Sequence, residues 1–109
     1  MENNLEAVKK PSVLEDDEVK DFIEMRNFKQ EDCYLIEKLA TFPKGLRIEE
    51  LHNFFAYGIS KEKSIQQFER LIDRTPDEIK KSLYKTALEI CTKYDHYACN
   101  HIAGVLERL

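Results

Sequence analysis

Residues 75–94 read TPDEIKKSLYKTALEICTKY, and this stretch decides the fold. Thr75, Pro76 and Glu78 stand at the spacing of a helix N-cap, a first-turn proline and the acid that completes a capping box. Behind them Ile79, Leu83, Tyr84, Ala87, Ile90, Cys91 and Tyr94 recur every three to four residues. That period puts them on one face of a helix, whereas a strand would alternate every second residue.

The same pattern extends in both directions. Towards the C-terminus Ala98, Ile102, Val105, Leu106 and Leu109 carry a further helix. Asp95 suggests a bend before it, yet the stripe stays in phase through 91, 94, 98, 102, 105 and 109, so one long helix fits as well as two. Towards the N-terminus, Ser60 caps a fourth helix with Ile65, Phe68, Leu71 and Ile72 inward. Ile48, Leu51, His52 and Phe55 make a third, which Gly58 stops in a left-handed conformation. Glu31-Asp32 opens a second, with Leu35, Ile36 and Leu39 on one face, and Phe42-Pro43-Lys44-Gly45 closes it. The acids Glu15, Asp16, Asp17 and Glu18 suit the positive end of a first helix over about 14–27.

The expected fold class is therefore all-α, a compact bundle of five to six short helices. It forms one domain over 13–109, behind a polar, aperiodic N-terminal tail at 1–12. Phe22, Phe28, Phe54, Phe55 and Phe68 are the expected core aromatics. Only 3 glycines and 3 prolines occur in 109 residues, too few for the many turns of a sandwich or barrel. Hydrophobic residues are 42% and charged residues 35%, a globular balance with a heavily charged surface. No apolar run approaches the length of a membrane span and no signal-peptide core follows Met1. Three cysteines, Cys33, Cys91 and Cys99, are odd in number and widely spaced, which fits a reduced, cytoplasmic protein that uses thiols as core groups.

The net charge is −4 and uneven. Residues 1–60 hold 8 Lys/Arg against 13 Asp/Glu, and residues 61–109 hold 9 against 8. Binding to nucleic acid by overall phosphate neutralisation needs a basic protein, so any such role here rests on a local patch. Lys80, Lys81 and Lys85 form that patch at the start of the fifth helix, with Lys93 farther along.

Reactive chemistry is not gathered anywhere. Cys91, His96, Cys99 and His101 are spaced C-x4-H-x2-C-x-H, unlike the close pairs of a structural zinc site, and on a helix they point in several directions. His52 lies on an apolar face without a nearby nucleophile or acid. The expectation is no catalytic residue, no metal and no cofactor. Glu15, Asp16, Asp17 and Glu18 are solvated acids at a helix start, or a surface for gripping a protein partner.

Three pieces of the C-terminal half resemble the C-terminal helical domain of DnaD-like primosomal proteins. Phe54-Phe55-Ala56-Tyr57-Gly58-Ile59-Ser60 looks like the family's aromatic helix, glycine stop and new start. Thr75-Pro76-Asp77-Glu78-Ile79, running into Ala87-Leu88-Glu89, looks like its next helix. His101 to Leu109 is laid out like its Tyr-Ile-x-x-Ile-Leu-x-x-Trp segment. In that register His101 replaces the family's Tyr, Val105 its Ile and Leu109 its Trp. The resemblance implies a helical module of helicase loading that touches DNA through this segment, but two aromatic groups suited to stacking on single strands are gone.

Two functions follow as expectations. The first is a protein–protein interaction module, an adaptor or inhibitor of the kind phages and plasmids carry, using the acidic segment Glu15–Glu18 on a host or partner protein. The second is a DnaD-like accessory meeting DNA through Lys80, Lys81, Lys85, His101 and Arg108. Leu109, in phase with the last stripe, either closes the core or docks on a second copy as a homodimer.

Overall fold

The structure is a computed structural model that describes residues 12–52 and 60–109. The tail at 1–11, the side chain of His52, Phe54, Phe55, the Gly58 stop and the motif at 54–59 lie outside the described residues. The described chain forms six α-helices: α1 (Asp17–Met25), α2 (Cys33–Thr41), α3 (Lys44–His52), α4 (Lys61–Arg74), α5 (Glu78–Lys93) and α6 (His96–Glu107). Short 3₁₀ turns at Val13–Glu15 and Gln30–Asp32 precede α1 and α2. Among the described residues there is no strand, and the expected all-α bundle is what forms.

Each helix begins and ends for a local reason. Asp16 accepts from the amides of Glu18 and Val19, placing a carboxylate at the positive end of α1. That helix closes on Asn27, whose φ of 54° is left-handed. The Phe28 amide then bonds the Ile23 carbonyl at 2.9 Å and the Asn27 amide that of Glu24 at 3.3 Å, a Schellman closure with asparagine in the usual place of glycine. The Phe28 ring packs 5.4 Å from that of Phe22, fixing the exit direction.

Pro43 stops α2 as expected, with Phe42 extended before it. It also starts α3 at once, because its carbonyl accepts the Arg47 amide at 3.0 Å. Lys44 and Gly45, expected in the turn, are the first residues of α3.

Ser60 caps α4 through Lys63. The α4–α5 junction differs from the sequence expectation. Thr75 is the C-cap of α4, its amide bonded to the Leu71 carbonyl at 2.8 Å, and Pro76 sits between the helices. Asp77 is the N-cap of α5, its Oδ1 accepting from Ile79 and Lys80 at 2.9 and 3.2 Å. At the next junction Tyr94 leaves helical geometry (ψ −90°), Asp95 is fully extended, and its carboxylate caps α6 through Ala98 at 2.7 Å. The stripe that runs in phase across this point belongs to two helices.

The core lies around α6, which packs on α1, α3 and α5. Ala98, Cys99, Ile102, Ala103, Val105 and Leu106 are buried, while Tyr97 and Asn100 on the same helix are exposed. Phe22, Leu35, Leu39, Leu51, Phe68, Leu83 and Ile90 close on it without exposure. Helices α4 and α5 form an antiparallel pair beside this centre, with Phe68 against Tyr84 at 6.3 Å. Leu109 lies past the end of α6 and is 51% exposed, so it does not close the core. Among the described residues no helix is long and apolar enough to cross a membrane.

Candidate functional site

The residues expected to meet phosphate are mostly engaged with carboxylates. Lys80 Nζ stands 3.5 Å from Glu50 on α3, and Lys81 3.8 Å from Glu78 on its own helix. Lys85 is exposed. Arg108 donates from Nε and Nη2 to Glu18 of α1, each at 3.0 Å. His101 is half-buried: its ring meets Phe22 edge-on at 5.1 Å, and its Nδ1 accepts from Arg26 Nε at 3.3 Å. Burial first, then the positive charges of Arg26 and Arg108, hold its pKa below the ordinary 6.5, so it is neutral at pH 7. A neutral imidazole already used as an acceptor is a poor phosphate ligand.

The acidic segment is divided by the same geometry. Asp16 is spent on the cap of α1 and Glu15 stands 3.7 Å from Lys20. Glu18 holds Arg108, so one member of each expected site is brought together with the other. Asp17 stays exposed.

The late Cys and His side chains separate. Cys91 and Cys99 both reach the core with no exposure. The neighbouring Cys91 thiol and burial together push the Cys99 thiol well above its usual range, so it stays protonated. His96 turns its ring against Tyr97 at 4.0 Å, with Nδ1 buried and lacking a partner among the described residues. His101 belongs to the Phe22–Arg26 contact. Among the described residues no three His, Cys, Asp or Glu side chains assemble as a metal-binding group.

Three features were not visible in the sequence. The first is a clamp between the start of α2 and the end of α5. Buried Asp32 accepts from Tyr94 Oη at 2.6 Å and from Lys93 Nζ at 2.9 Å, while the Tyr94 hydroxyl takes the Lys29 amide. Phe28 stacks on the Tyr94 ring at 4.1 Å. The hydroxyl and ammonium together hold the Asp32 carboxyl below its ordinary 3.8. The second is the buried guanidinium of Arg47, whose donors go to the carbonyls of Leu39, Ala40, Phe42 and Leu106.

The third is an open groove of about 830 Å³ where the first 3₁₀ turn, α1 and α2 meet. Leu14, Ile23, Phe28 and Cys33 give it an apolar floor, and Lys20, Glu31, Tyr34 and Glu37 stand around it. Tyr34 is half exposed and donates its hydroxyl to Glu89 at 2.7 Å. No sequence signal marks it, because its facing walls come from separate segments. Comparison with family models, with characterised proteins and with solved structures finds no match to this chain.

Proposed function

We propose that the chain is a non-catalytic helical module that binds a protein partner. One observation carries this choice over a DNA-binding role: three of the cations best placed for phosphate, Lys80, Lys81 and Arg108, lie within 4 Å of carboxylates that phosphate would have to displace. His101 is neutral and internally bonded. The sequence of 1–60 is net acidic, which repels a polyanion and suits a protein surface of opposite sign. The apolar groove beside α1 and α2 gives such a partner something to bury.

The competing reading is a DnaD-like replication accessory, supported by the helical layout of 75–109 and by exposed Lys85. The test is fluorescence anisotropy of the full chain with single- and double-stranded oligonucleotides at low salt. The expected result is no saturable binding. Binding that weakens steeply as salt rises, with a slope reduced by about one for each of Lys81→Ala and Lys85→Ala, would replace the present reading with the DNA-binding one.

A further inference from the structure

The groove combines two properties. Its floor of Leu14, Ile23 and Phe28 is apolar, and Glu31 and Glu37 stand at its edge. Lys20, which also lines the groove, is already beside Glu15 at 3.7 Å. Glu37 accepts the Ser12 hydroxyl at 2.7 Å, and among the described residues neither Glu31 nor Glu37 meets a cation. Glu18, Glu50 and Glu78, by contrast, each hold one.

Apolar surface beside uncompensated negative charge selects its ligand by sign. A phosphate or carboxylate ligand is repelled, and a purely apolar one leaves both carboxylates facing it without compensation. We propose that this groove receives a basic amphipathic segment of a partner protein, with its apolar side chains on the floor and its lysines or arginines over Glu31 and Glu37. The groove has the volume of an ordinary ligand pocket and is walled by helices and a turn, which suits an amphipathic helix laid between them. The proposal rests on the protein-binding reading above and adds the chemistry of the partner.

The experiment is a nuclear magnetic resonance titration of the full chain with a short synthetic peptide carrying leucines at helical spacing and lysines elsewhere. An acidic twin carries glutamates in place of those lysines. Saturable shifts centred on Leu14, Ile23, Glu31 and Tyr34 are expected, with no binding by the twin. The double variant E31K/E37K alters exposed side chains only and should weaken binding at least tenfold. E62K/E69K, on the exposed face of α4, should leave it unchanged and so controls for general charge attraction. Equal loss in both double variants, binding of the acidic twin, or absence of saturable binding overturns the proposal. Shifts centred on α5 and α6 overturn it too, but leave the protein-binding reading standing. Tenfold tighter binding by a chain lacking residues 1–11 names the chain's own start as the occupant and overturns the claim of a separate partner.

Discussion

Arg47 on α3 places its Nη2 3.5 Å from the carbonyl oxygen of Leu106 at the end of α6. Its Nη1 meanwhile donates to Ala40 and Phe42 at 3.0 Å each and to Leu39 at 3.4 Å, at the end of α2. One guanidinium thus closes two helix C-termini, where the last carbonyls have no intrahelical donor and the dipole is negative. Burial draws its pKa down, but arginine keeps its charge in proteins. Its planar fork of five donors suits several carbonyls at once. Arg47→Met keeps the stem and removes the donor to the Ala40 and Phe42 carbonyls, while Leu39 and Leu106 retain the amides of Phe42 and Leu109; it should cost about 1–3 kcal/mol in urea unfolding. Lysine at 47 should recover only part of this. A loss under about 1 kcal/mol would mean water replaces the guanidinium without penalty.

At the α4–α5 junction the two candidate caps can be separated by single substitutions. Asp77→Ala removes the acceptor for Ile79 and Lys80 and should destabilise by about 1 kcal/mol. Thr75→Ala, at the end of α4, should stay within about 0.5 kcal/mol. Thermal unfolding of both variants checks this, and the reverse order would restore Thr75 as the cap.

That junction also shows where sequence reasoning runs out. Apolar periodicity was enough to place helix over the spans of α4, α5 and α6, because each buries one face and the period names it, but not to divide α5 from α6. Between Thr75 and Asp77 it had no purchase: both are good caps, Pro76 tolerates either, and the charged acceptor at the positive helix end prevailed. At Asp95 the stripe stays in phase, and only the extended backbone there separates two helices from one. Arg47 adjoins the stripe of Ile48 and Leu51 and reads as a surface residue. Its acceptor at Leu106 is 59 positions away, and the Glu18–Arg108 pair spans 90. The groove has the same origin, since each of its walls is ordinary helix surface until α1 and α2 are brought together.

Gly104 offers a stabilising change. It lies inside α6, and a Cβ added there meets nothing within 4 Å. Glycine in a helix interior costs about 0.5–1 kcal/mol against alanine, through backbone freedom lost on folding. Gly104→Ala should raise stability by about that much with no change in the folded structure, as read by urea midpoint and amide spectrum. A destabilised variant would mean that α6 uses this position for a close approach the described residues do not contain.

Acid should weaken the fold in two separable steps. His101 has a folded pKa below 6.5, because burial and the neighbouring Arg26 and Arg108 disfavour its charged form. The unfolded chain therefore takes up the proton first, and stability present above about pH 6.5 is lost as pH falls towards the lower folded value. Asp32 has a folded pKa below 3.8, because Tyr94 and Lys93 bond its carboxylate. Its contribution is present above 3.8 and is lost only as pH falls further, when the unfolded carboxyl protonates before the folded one. Urea midpoints measured across the acid range should accordingly fall in two stages. His101→Gln, which keeps a neutral acceptor available to Arg26, should flatten the first stage and spare the second. Asp32→Asn should lower stability at neutral pH and flatten the second. If His101→Gln leaves the first stage unchanged, the imidazole is not held against protonation, and its packing between Phe22 and Arg26 is looser than the distances imply.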